Sequence, residues 1–174
     1  LGVDKGDEVL ISDFSFPATA NVVEDLNATP VFVDVSLSTF NSEVSDFEKK
    51  INENVKAIIF VDALGNPSGI SKVKELAKSY KIPLVEDAAC ALGSSENDVL
   101  CGNISDLTCF SFHPRKLICG GEGGAITTNK SDWSKWLDLK LSHGGIKSKG
   151  LVSNFETFGY NFRISELQSA LCLS

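Results

Sequence analysis

The sequence predicts an α/β fold in which a mostly parallel β-sheet is flanked by helices. Strand candidates alternate along the chain with helix candidates of about ten residues, which is the pattern of β-α-β units. The strand candidates are continuous apolar runs, typical of parallel strands that are buried on both faces. With 174 residues, of which 43% are hydrophobic and 22% are charged, the chain has the composition of a globular domain with a sizeable core.

The first third of the chain contains two strand candidates and two helix candidates. Residues 9–11 and 31–35 are short apolar runs bounded by turns, so each predicts a buried strand. Between them, Pro17 suits the first turn of a helix over residues 18–26, because its missing N–H would lack a partner there. Ser45 opens a Ser-Asp-Phe-Glu capping box and predicts the start of the second helix.

The middle third repeats this pattern and ends at an acidic strand terminus. Residues 56–61 and 82–85 predict strands, and a Gly-Asn-Pro-Ser-Gly turn that starts at Gly65 separates the first of them from the next helix. Ser71 is the expected N-cap of that helix, whose apolar side chains recur on one face. Asp87 follows the second strand at its carboxyl end.

The last third is predicted to hold two more strands, at residues 107–112 and 124–128, and a helix over residues 132–142. Both tryptophans, Trp133 and Trp136, are expected on the apolar side of that helix. The remaining predicted segments are a polar loop at residues 94–98, a mobile loop at residues 144–153 and a final helix marked by Ile164, Leu167 and Leu171.

Charge and composition exclude several classes of function. The net charge is −7 and no run of basic residues occurs, which argues against nucleic acid or an anionic membrane surface as the main partner. No apolar run reaches the roughly 18 residues of a membrane span, and no signal peptide opens the chain. Five scattered cysteines without a C-x-x-C pair, and only two histidines, indicate a reduced, cytoplasmic protein without a disulfide framework or a metal site.

One lysine lies in a setting that suits chemistry. Lys116 stands between the apolar strand at residues 107–112 and the glycine-rich turn at residues 120–124, which does not match a P-loop motif. Lys116 and Asp87 both follow predicted strands, where open α/β sheets collect ligands. This placement predicts that Lys116 carries an aldehyde cofactor and that Asp87 adjusts its electronics. A surface lysine and a helix-capping aspartate are the alternatives.

Eight short motifs in a fixed order carry a family resemblance. They are Gly-Asp-Glu-Val (6–9), Phe-Ser-Phe-Pro-Ala-Thr-Ala-Asn (14–21), Pro-Val-Phe-Val-Asp-Val (30–35), Glu-Asp-Ala-Ala (86–89), Ser-Phe-His-Pro-Arg-Lys (111–116), Gly-Glu-Gly-Gly (121–124), His-Gly (143–144) and Gly-Tyr-Asn-Phe-Arg-Ile-Ser-Glu-Leu-Gln (159–168). On these motifs the chain resembles the sugar aminotransferases of the DegT/StrS type. These belong to the aspartate-aminotransferase-like, fold type I enzymes, which use pyridoxal 5'-phosphate (PLP).

The resemblance implies a fragment of a longer protein. Residues 1–174 would be an incomplete large, PLP-binding domain, because the family's N-terminal phosphate-binding segment and its small C-terminal domain have no counterpart here. The absence of an initial methionine and an end inside a predicted helix lead to the same expectation. The family also implies a homodimer.

The resemblance gives roles to four residues around the cofactor ring and phosphate. Lys116 would form the Schiff base (aldimine) with PLP and move a proton between the substrate and cofactor carbons. Asp87 would pair with the pyridine nitrogen and keep it protonated. Phe16 would stack on the ring and Ser111 would bind the phosphate, although a core aromatic and a solvent-facing strand residue are the ordinary alternatives.

Two further residues have less settled roles. Cys90 occupies a position near the ring hydroxyl where the family often has glutamine or histidine; a thiol is a weaker donor, so a small buried filler is the alternative. Asn161 would reach across a dimer interface to the partner's phosphate, or else form a turn. His113 and Arg115 flank the lysine without a role.

The function implied by the resemblance is PLP-dependent transfer of an amino group from an amino acid, with glutamate as the expected donor, to a nucleotide-linked keto sugar. The nucleotide, the sugar and the aminated carbon stay open. One alternative is a sugar dehydratase that uses PLP or pyridoxamine phosphate (PMP), but that branch carries histidine where Lys116 stands. The other is a non-catalytic or regulatory paralogue that binds a sugar nucleotide. The presence of both Lys116 and Asp87 argues against it.

Overall fold

A computed structural model describes residues 1–148 and 151–173 of the chain. The strands in this part are β1 (Glu8–Ser12), β2 (Thr29–Val33), β3 (Val55–Val61), β4 (Leu84–Asp87), β5 (Ser95–Glu96), β6 (Val99–Leu100), β7 (Leu107–Ser111), β8 (Gly124–Thr127), β9 (Gly145–Ser148) and β10 (Leu151–Phe155). The helices are α1 (Ala18–Glu24), α2 (Val44–Glu48), α3 (Ile70–Tyr80), α4 (Ser131–Leu141) and α5 (Glu166–Leu173). No helix in the described part combines the length and apolar character that a membrane span requires.

Six strands form one sheet in the order β2-β1-β3-β4-β7-β8. All neighbouring pairs are parallel except β7 and β8, which are antiparallel. The predicted α/β fold with a mostly parallel sheet is therefore confirmed. Because β1, β3, β4 and β7 are parallel, their carboxyl ends meet at one edge of the sheet, where ligands bind in folds of this class.

Helices cover both faces of the central strands. On one face Leu10 of β1 belongs to the same buried cluster as Phe47 of α2, and on the other Val9 and Ile11 pack with Val23 of α1. All five of these residues are at most 2% exposed. Full burial of each such side chain stabilises the fold by roughly 1.5–3 kcal/mol. Burial on both faces explains why the strands appear in the sequence as continuous apolar runs.

Two predicted helix N-caps are wrong, and for α3 the reason lies outside the helix. The N-cap of α2 is Glu43 rather than Ser45, and the N-cap of α3 is Gly69 rather than Ser71. The carboxylate of Glu96, on β5, accepts the main-chain N–H groups of Gly69 at 2.5 Å and Ser71 at 2.7 Å. Burial alone would raise the pKa of Glu96, but the hydrogen bonds from Ser71 and Gly69 outweigh it and lower the pKa.

Other segment boundaries also differ from their predictions, because pairing with a neighbouring strand decides where a strand begins and ends. β2 covers residues 29–33 rather than 31–35, and β4 covers residues 84–87, so that Asp87 is its last residue. The predicted polar loop at residues 94–98 contains β5, which pairs with β6. The predicted mobile loop at residues 144–153 contains β9 and the start of β10, an antiparallel pair; residues 149–150 lie outside the described part.

The two tryptophans of α4 each lie close to a lysine ammonium. Trp133 is half-buried and Trp136 is 55% exposed, and no described residue of α4 is fully buried. The Lys130 ammonium lies 3.9 Å from the centre of the Trp133 ring, and the Lys140 ammonium lies 5.4 Å from the Trp136 ring. Such cation–π contacts stabilise an indole ring without burying it.

Asp106 fixes the amino end of β4, at the edge of the sheet opposite to the carboxyl ends. Its Oδ2 accepts the main-chain N–H of Leu84 at 2.9 Å and the Lys74 ammonium at 2.7 Å. Its Oδ1 lies 2.8 Å from the Lys130 ammonium. Burial would raise the pKa of Asp106, but the Leu84 N–H and the two lysines outweigh it and lower the pKa. The Asp106 side chain therefore contacts α3, β4 and the segment before α4.

Candidate active site

The predicted site residues Phe16, Asp87, Cys90, Ser111 and Lys116 come from segments at or after the carboxyl ends of three parallel strands. Asp87 ends β4 and Ser111 ends β7, while Phe16 lies in the segment that follows β1. Cys90 and Lys116 follow β4 and β7 in the same way. The topology thus explains how residues from three separate stretches of sequence reach one edge of the sheet.

The carboxylate of Asp87 is held from two sides. The main-chain N–H of Ala89 donates to its Oδ1 at 3.2 Å, and the hydroxyl of Thr19 donates to its Oδ2 at 2.9 Å. The Thr19 hydroxyl also lies 2.6 Å from the hydroxyl of Ser15, within hydrogen-bonding distance. A carboxylate can accept about four hydrogen bonds, so both oxygens keep room for a further donor. Asp87 is an oriented acceptor that suits a protonated ring nitrogen.

Thr19 is a site residue that the sequence analysis does not identify. It is buried in the first turn of α1, and its contact with Asp87 joins residues that are 68 positions apart. A threonine inside a helix is an ordinary residue with a mild cost, so its identity alone indicates no function. Ser15 lies before the helix, so its contact with Thr19 follows no helical spacing and gives no signal in the sequence.

Lys116 and Cys90 meet across the site. Nζ of Lys116 donates to Sγ of Cys90 at 3.1 Å, which joins the segment after β7 to the segment after β4. The main-chain N–H of Lys116 donates to the carbonyl oxygen of His113 at 2.8 Å, so a turn holds the lysine in place. Cys90 is exposed and Lys116 is half-buried, which leaves the amine within reach of an incoming group. The catalytic role of Lys116 stays a prediction.

The other three predicted residues lie in different surroundings. Ser111 is half-buried, and its Oγ accepts the main-chain N–H of His113 at 3.3 Å, so its own hydroxyl hydrogen is available for a phosphate. Phe16 is 71% exposed, and its ring is open to an aromatic ligand. Asn161 is exposed and forms an isolated antiparallel bridge with Ser142. The roles assigned to these three residues stay predictions.

His113 organises the turn that precedes Lys116, a role that the sequence does not indicate. Its Nδ1 accepts the main-chain N–H of Arg115 at 3.2 Å. Its Nε2 lies 4.0 Å from a carboxylate oxygen of Glu122, on the other side of the glycine-rich turn. Because Nδ1 is an acceptor, the neutral ring carries its hydrogen on Nε2, toward Glu122.

Gly65 allows the segment after β3 to lie against the main chain of Cys90. Its φ is 86°, and a Cβ at this position would lie 2.7 Å from the carbonyl oxygen of Cys90. The buried side chain of Asn41 holds the same segment, since its Oδ1 accepts the N–H of Ala63 at 3.1 Å and its Nδ2 donates to the carbonyl of Asn66 at 2.8 Å. The predicted turn at Gly65 therefore supports one wall of the site.

Comparison with known proteins places these features in a family. The model of the DegT/DnrJ/EryC1/StrS aminotransferase family matches residues 1–174. The chain belongs to this family. The GDP-perosamine synthase of Escherichia coli O157:H7 is 35% identical over 100% of this chain and 47% of its own length. A dTDP-4-dehydro-2,6-dideoxy-D-glucose 3-dehydratase of Saccharopolyspora spinosa is 33% identical over 97% of this chain and 42% of its own length.

Solved structures of the DegT family share the architecture. Helicobacter pylori PseC, an aminotransferase of pseudoaminic acid biosynthesis, superposes with a TM-score of 0.91 at 35% identity, over 99% of this chain and 46% of that one. The ntda protein of Bacillus subtilis, solved with bound PMP, has a TM-score of 0.87 at 30% identity, over 99% of this chain and 39% of that one. The family resemblance and the fold type I architecture are therefore confirmed. The chain spans less than half the length of these relatives.

Proposed function

We propose that the complete protein is a PLP-dependent aminotransferase that moves an amino group from an amino acid to a nucleotide-linked keto sugar. The observation that carries the proposal is the contact of Lys116 with Cys90, three residues after the oriented carboxylate of Asp87, in a chain of the DegT family. The relatives support the substrate class, since one is a GDP-perosamine synthase and another acts in pseudoaminic acid biosynthesis. Glutamate is the donor that we expect.

The residues of the site fit PLP. Asp87 has unused acceptor capacity for a ring N–H, and Lys116 presents an accessible amine to an aldehyde. When bound, PLP supplies an electron-withdrawing ring that stores the amino group between the two substrates. The PMP found in the ntda structure supports this assignment, because PMP is the aminated form of the same cofactor.

Each predicted residue then has a defined task. Asp87 would keep a proton on the ring nitrogen, because a nearby carboxylate favours the cationic form of its partner. Lys116 would bind the aldehyde through its amine and, once a substrate amine displaces it, would carry a proton between the substrate carbon and the cofactor carbon. Phe16 would stack on the ring, Ser111 would donate to the phosphate and Cys90 would lie near the ring hydroxyl.

The domain organisation and the assembly are part of the same proposal. Residues 1–174 would form part of the large, PLP-binding domain, and an N-terminal segment and a small C-terminal domain would complete it. The support is that the chain covers 47% of the perosamine synthase and 46% of PseC. Asn161 would contact the phosphate of the other protomer of a cytoplasmic homodimer.

Chemical trapping in the complete protein tests the lysine assignment. Borohydride reduction in the presence of PLP, followed by peptide mass mapping, should attach the cofactor to Lys116. Lys116→Arg should abolish the label, whereas Lys50→Arg, a substitution of an exposed lysine, should leave it unchanged. Nitrogen-labelled glutamate and a panel of keto-sugar nucleotides should then yield a labelled amino sugar. A label on another lysine, or no nitrogen transfer from any amino acid by the PLP-loaded protein, would refute the proposal.

A sugar dehydratase is the second candidate function, because the Saccharopolyspora spinosa relative is named a 3-dehydratase. Lysine at position 116, where the dehydratase branch carries histidine, favours amine transfer. The same substrate panel separates the candidates. A dehydratase would give a deoxygenated sugar without labelled nitrogen, and a non-catalytic paralogue would bind a sugar nucleotide without changing it.

A further inference from the structure

A cluster of two carboxyl groups and one thiol lies inside the protein, behind the strand end that carries Asp87. Asp62 directly follows β3, Glu86 lies in β4 and Cys101 directly follows β6. These residues are 2%, 0% and 7% exposed, and one oxygen of each carboxyl group and the sulfur lie within 4.8 Å of one another. Glu86 and Asp87 are consecutive in one strand, so their side chains point to opposite faces of the sheet.

The two carboxyl groups differ in their hydrogen bonding. Oε2 of Glu86 accepts the hydroxyls of Ser105 at 3.0 Å and Thr108 at 2.6 Å, and also the main-chain N–H of Gly102 at 3.3 Å. Among the described groups, Oε1 of Glu86 and both oxygens of Asp62 are buried without a hydrogen-bond partner. Unpartnered buried polar atoms are costly and rare. A proton on one carboxyl group would supply the missing donor and remove one of the two charges.

The groups around Asp62 favour its neutral form. The titratable groups that face it are Glu86 and Asp87 on β4 and Cys101 after β6, and none of these is a cation. Burial, and after it the charge of Glu86, raises the pKa of Asp62 to about 8. Oε2 of Glu86 already accepts three protein donors, whereas both oxygens of Asp62 lack a donor, and this contrast favours Asp62 as the site of the proton.

A proton suits this cluster better than a metal ion does. A cysteine must be a thiolate to bind a metal. Burial, followed by the charges of Asp62 and Glu86, raises the pKa of Cys101 far above its ordinary value and so favours the thiol. One oxygen of Glu86 is also engaged by three protein donors.

We propose that Asp62 is a neutral positioning residue whose carboxylic O–H donates to Oε1 of Glu86 and whose main chain holds the end of β4. The main-chain N–H of Asp62 donates to the carbonyl oxygen of Asp87 at 3.1 Å. The residue thus contacts the strand end directly while its side chain neutralises the cluster beneath it. An effect of Asp62 on PLP binding rests on the proposed function. The proton shared by Asp62 and Glu86 does not depend on that function.

Infrared titration of the complete protein tests the proton directly. The wild type should show the carbonyl band of a protonated carboxylic acid at neutral pH, and this band should disappear as the pH rises through the pKa of Asp62. Asp62→Asn should remove the band at neutral pH. Glu86→Gln should lower the pH of its disappearance by about one unit or more, because the repelling charge is gone. Asp138→Asn, on the exposed side of α4, is the matched control and should change nothing.

The pH dependence of the unfolding free energy is the second readout. If Asp62 had only a structural role, replacing it would not change this pH dependence. Because the pKa of Asp62 is raised in the folded state, wild-type stability should decline as pH rises from the ordinary carboxyl range toward about 8. Asp62→Asn should lack this part of the decline, since asparagine supplies a neutral N–H donor.

Three results would overturn the proposal: a neutral-pH band that is missing from the wild type, a band that survives Asp62→Asn, or a stoichiometric divalent metal ion in the purified protein. Identical pH profiles of unfolding for the wild type and Asp62→Asn would do the same. Failure of the complete protein to bind PLP would refute the proposed function, but both titrations would still decide the state of Asp62.

Discussion

Replacing Thr19 by valine should weaken the candidate site by removing one hydroxyl while nearly preserving the shape of the side chain. That hydroxyl donates to Oδ2 of Asp87 at 2.9 Å, and the residue is 5% exposed. A hydrogen bond to a charged group contributes about 1.5–3 kcal/mol to stability. We therefore expect Thr19→Val to lose about that amount of unfolding free energy. This bond exists without PLP, so its loss from stability does not carry over directly to binding. We separately expect a less well oriented Asp87 to cost PLP binding about 1.4 kcal/mol, which would raise the dissociation constant about tenfold.

Thr19→Ser is the matched control, because it keeps the hydroxyl and removes one methyl group. Loss of a buried methyl group costs roughly 0.8 kcal/mol, so this variant should lose some stability but keep its affinity for PLP. Urea unfolding of the complete apo-protein measures the first quantity, and titration with PLP, followed by absorbance, measures the second. Only the valine variant should lower both the unfolding free energy and the affinity for PLP.

Equal PLP affinities for the two Thr19 variants would refute this reasoning. Such a result would show that the hydroxyl does not orient Asp87 for the cofactor, whatever its effect on stability. An unfolding free energy of the valine variant within about 0.5 kcal/mol of the serine variant would contradict the energetic estimate as well, since changes of that size are typical of substitutions without a specific interaction.

Three further substitutions test other contacts of the fold. Asp106→Asn should lower the unfolding free energy, measured in urea at neutral pH, by roughly 1 kcal/mol. Because the folded-state pKa of Asp106 is lowered, this deficit should shrink as the pH falls below the ordinary carboxyl range. A deficit that does not depend on pH would contradict this. Glu96→Gln should cost about 1 kcal/mol by weakening the cap of α3, as seen by thermal unfolding, whereas Glu75→Gln on the exposed side of that helix should cost little. Gly65→Ala should lower the unfolding free energy by about 2 kcal/mol or more, because φ at this position is 86° and the added Cβ would lie 2.7 Å from the carbonyl oxygen of Cys90. Unchanged unfolding in denaturant would refute this.

The parts of the fold that sequence predicts well are those that depend on local hydrophobic pattern. The mostly apolar runs at residues 9–11 and 56–61 lie within β1 and β3 because these strands are buried on both faces along most of their length; Lys56, near the amino end of β3, is exposed. The start of α3 depends on something else. Its first N–H groups are satisfied by Glu96, 25 to 27 positions away, so a local rule selects Ser71 wrongly.

The residues of the candidate site also differ in whether the local sequence marks them. Lys116 and Asp87 stand next to strand ends and glycine turns, which mark them in the sequence, and Cys90 is marked only by its place in the family motif. Thr19 has no such mark, because its importance arises from a hydrogen bond that exists only after β1 and β4 have joined the sheet. Local patterns therefore mark the residues that we propose to carry chemistry, whereas a residue that orients one of them, such as Thr19, is recognised only in the tertiary structure.

The pleat of β4 gives two consecutive acidic residues different surroundings, since Glu86 points into the core and Asp87 points toward the site. If both were charged, Asp62 and Glu86, which have oxygens within 4.8 Å of each other, would repel by on the order of 3 kcal/mol at an effective dielectric constant of about 20. That is a large part of the roughly 5–15 kcal/mol that stabilises a domain. In the proposed arrangement, one proton on Asp62 would remove this repulsion and supply the missing hydrogen bond. A neutral Asp62 would thus relieve the strand end that carries Asp87 of two buried charges facing each other beneath it.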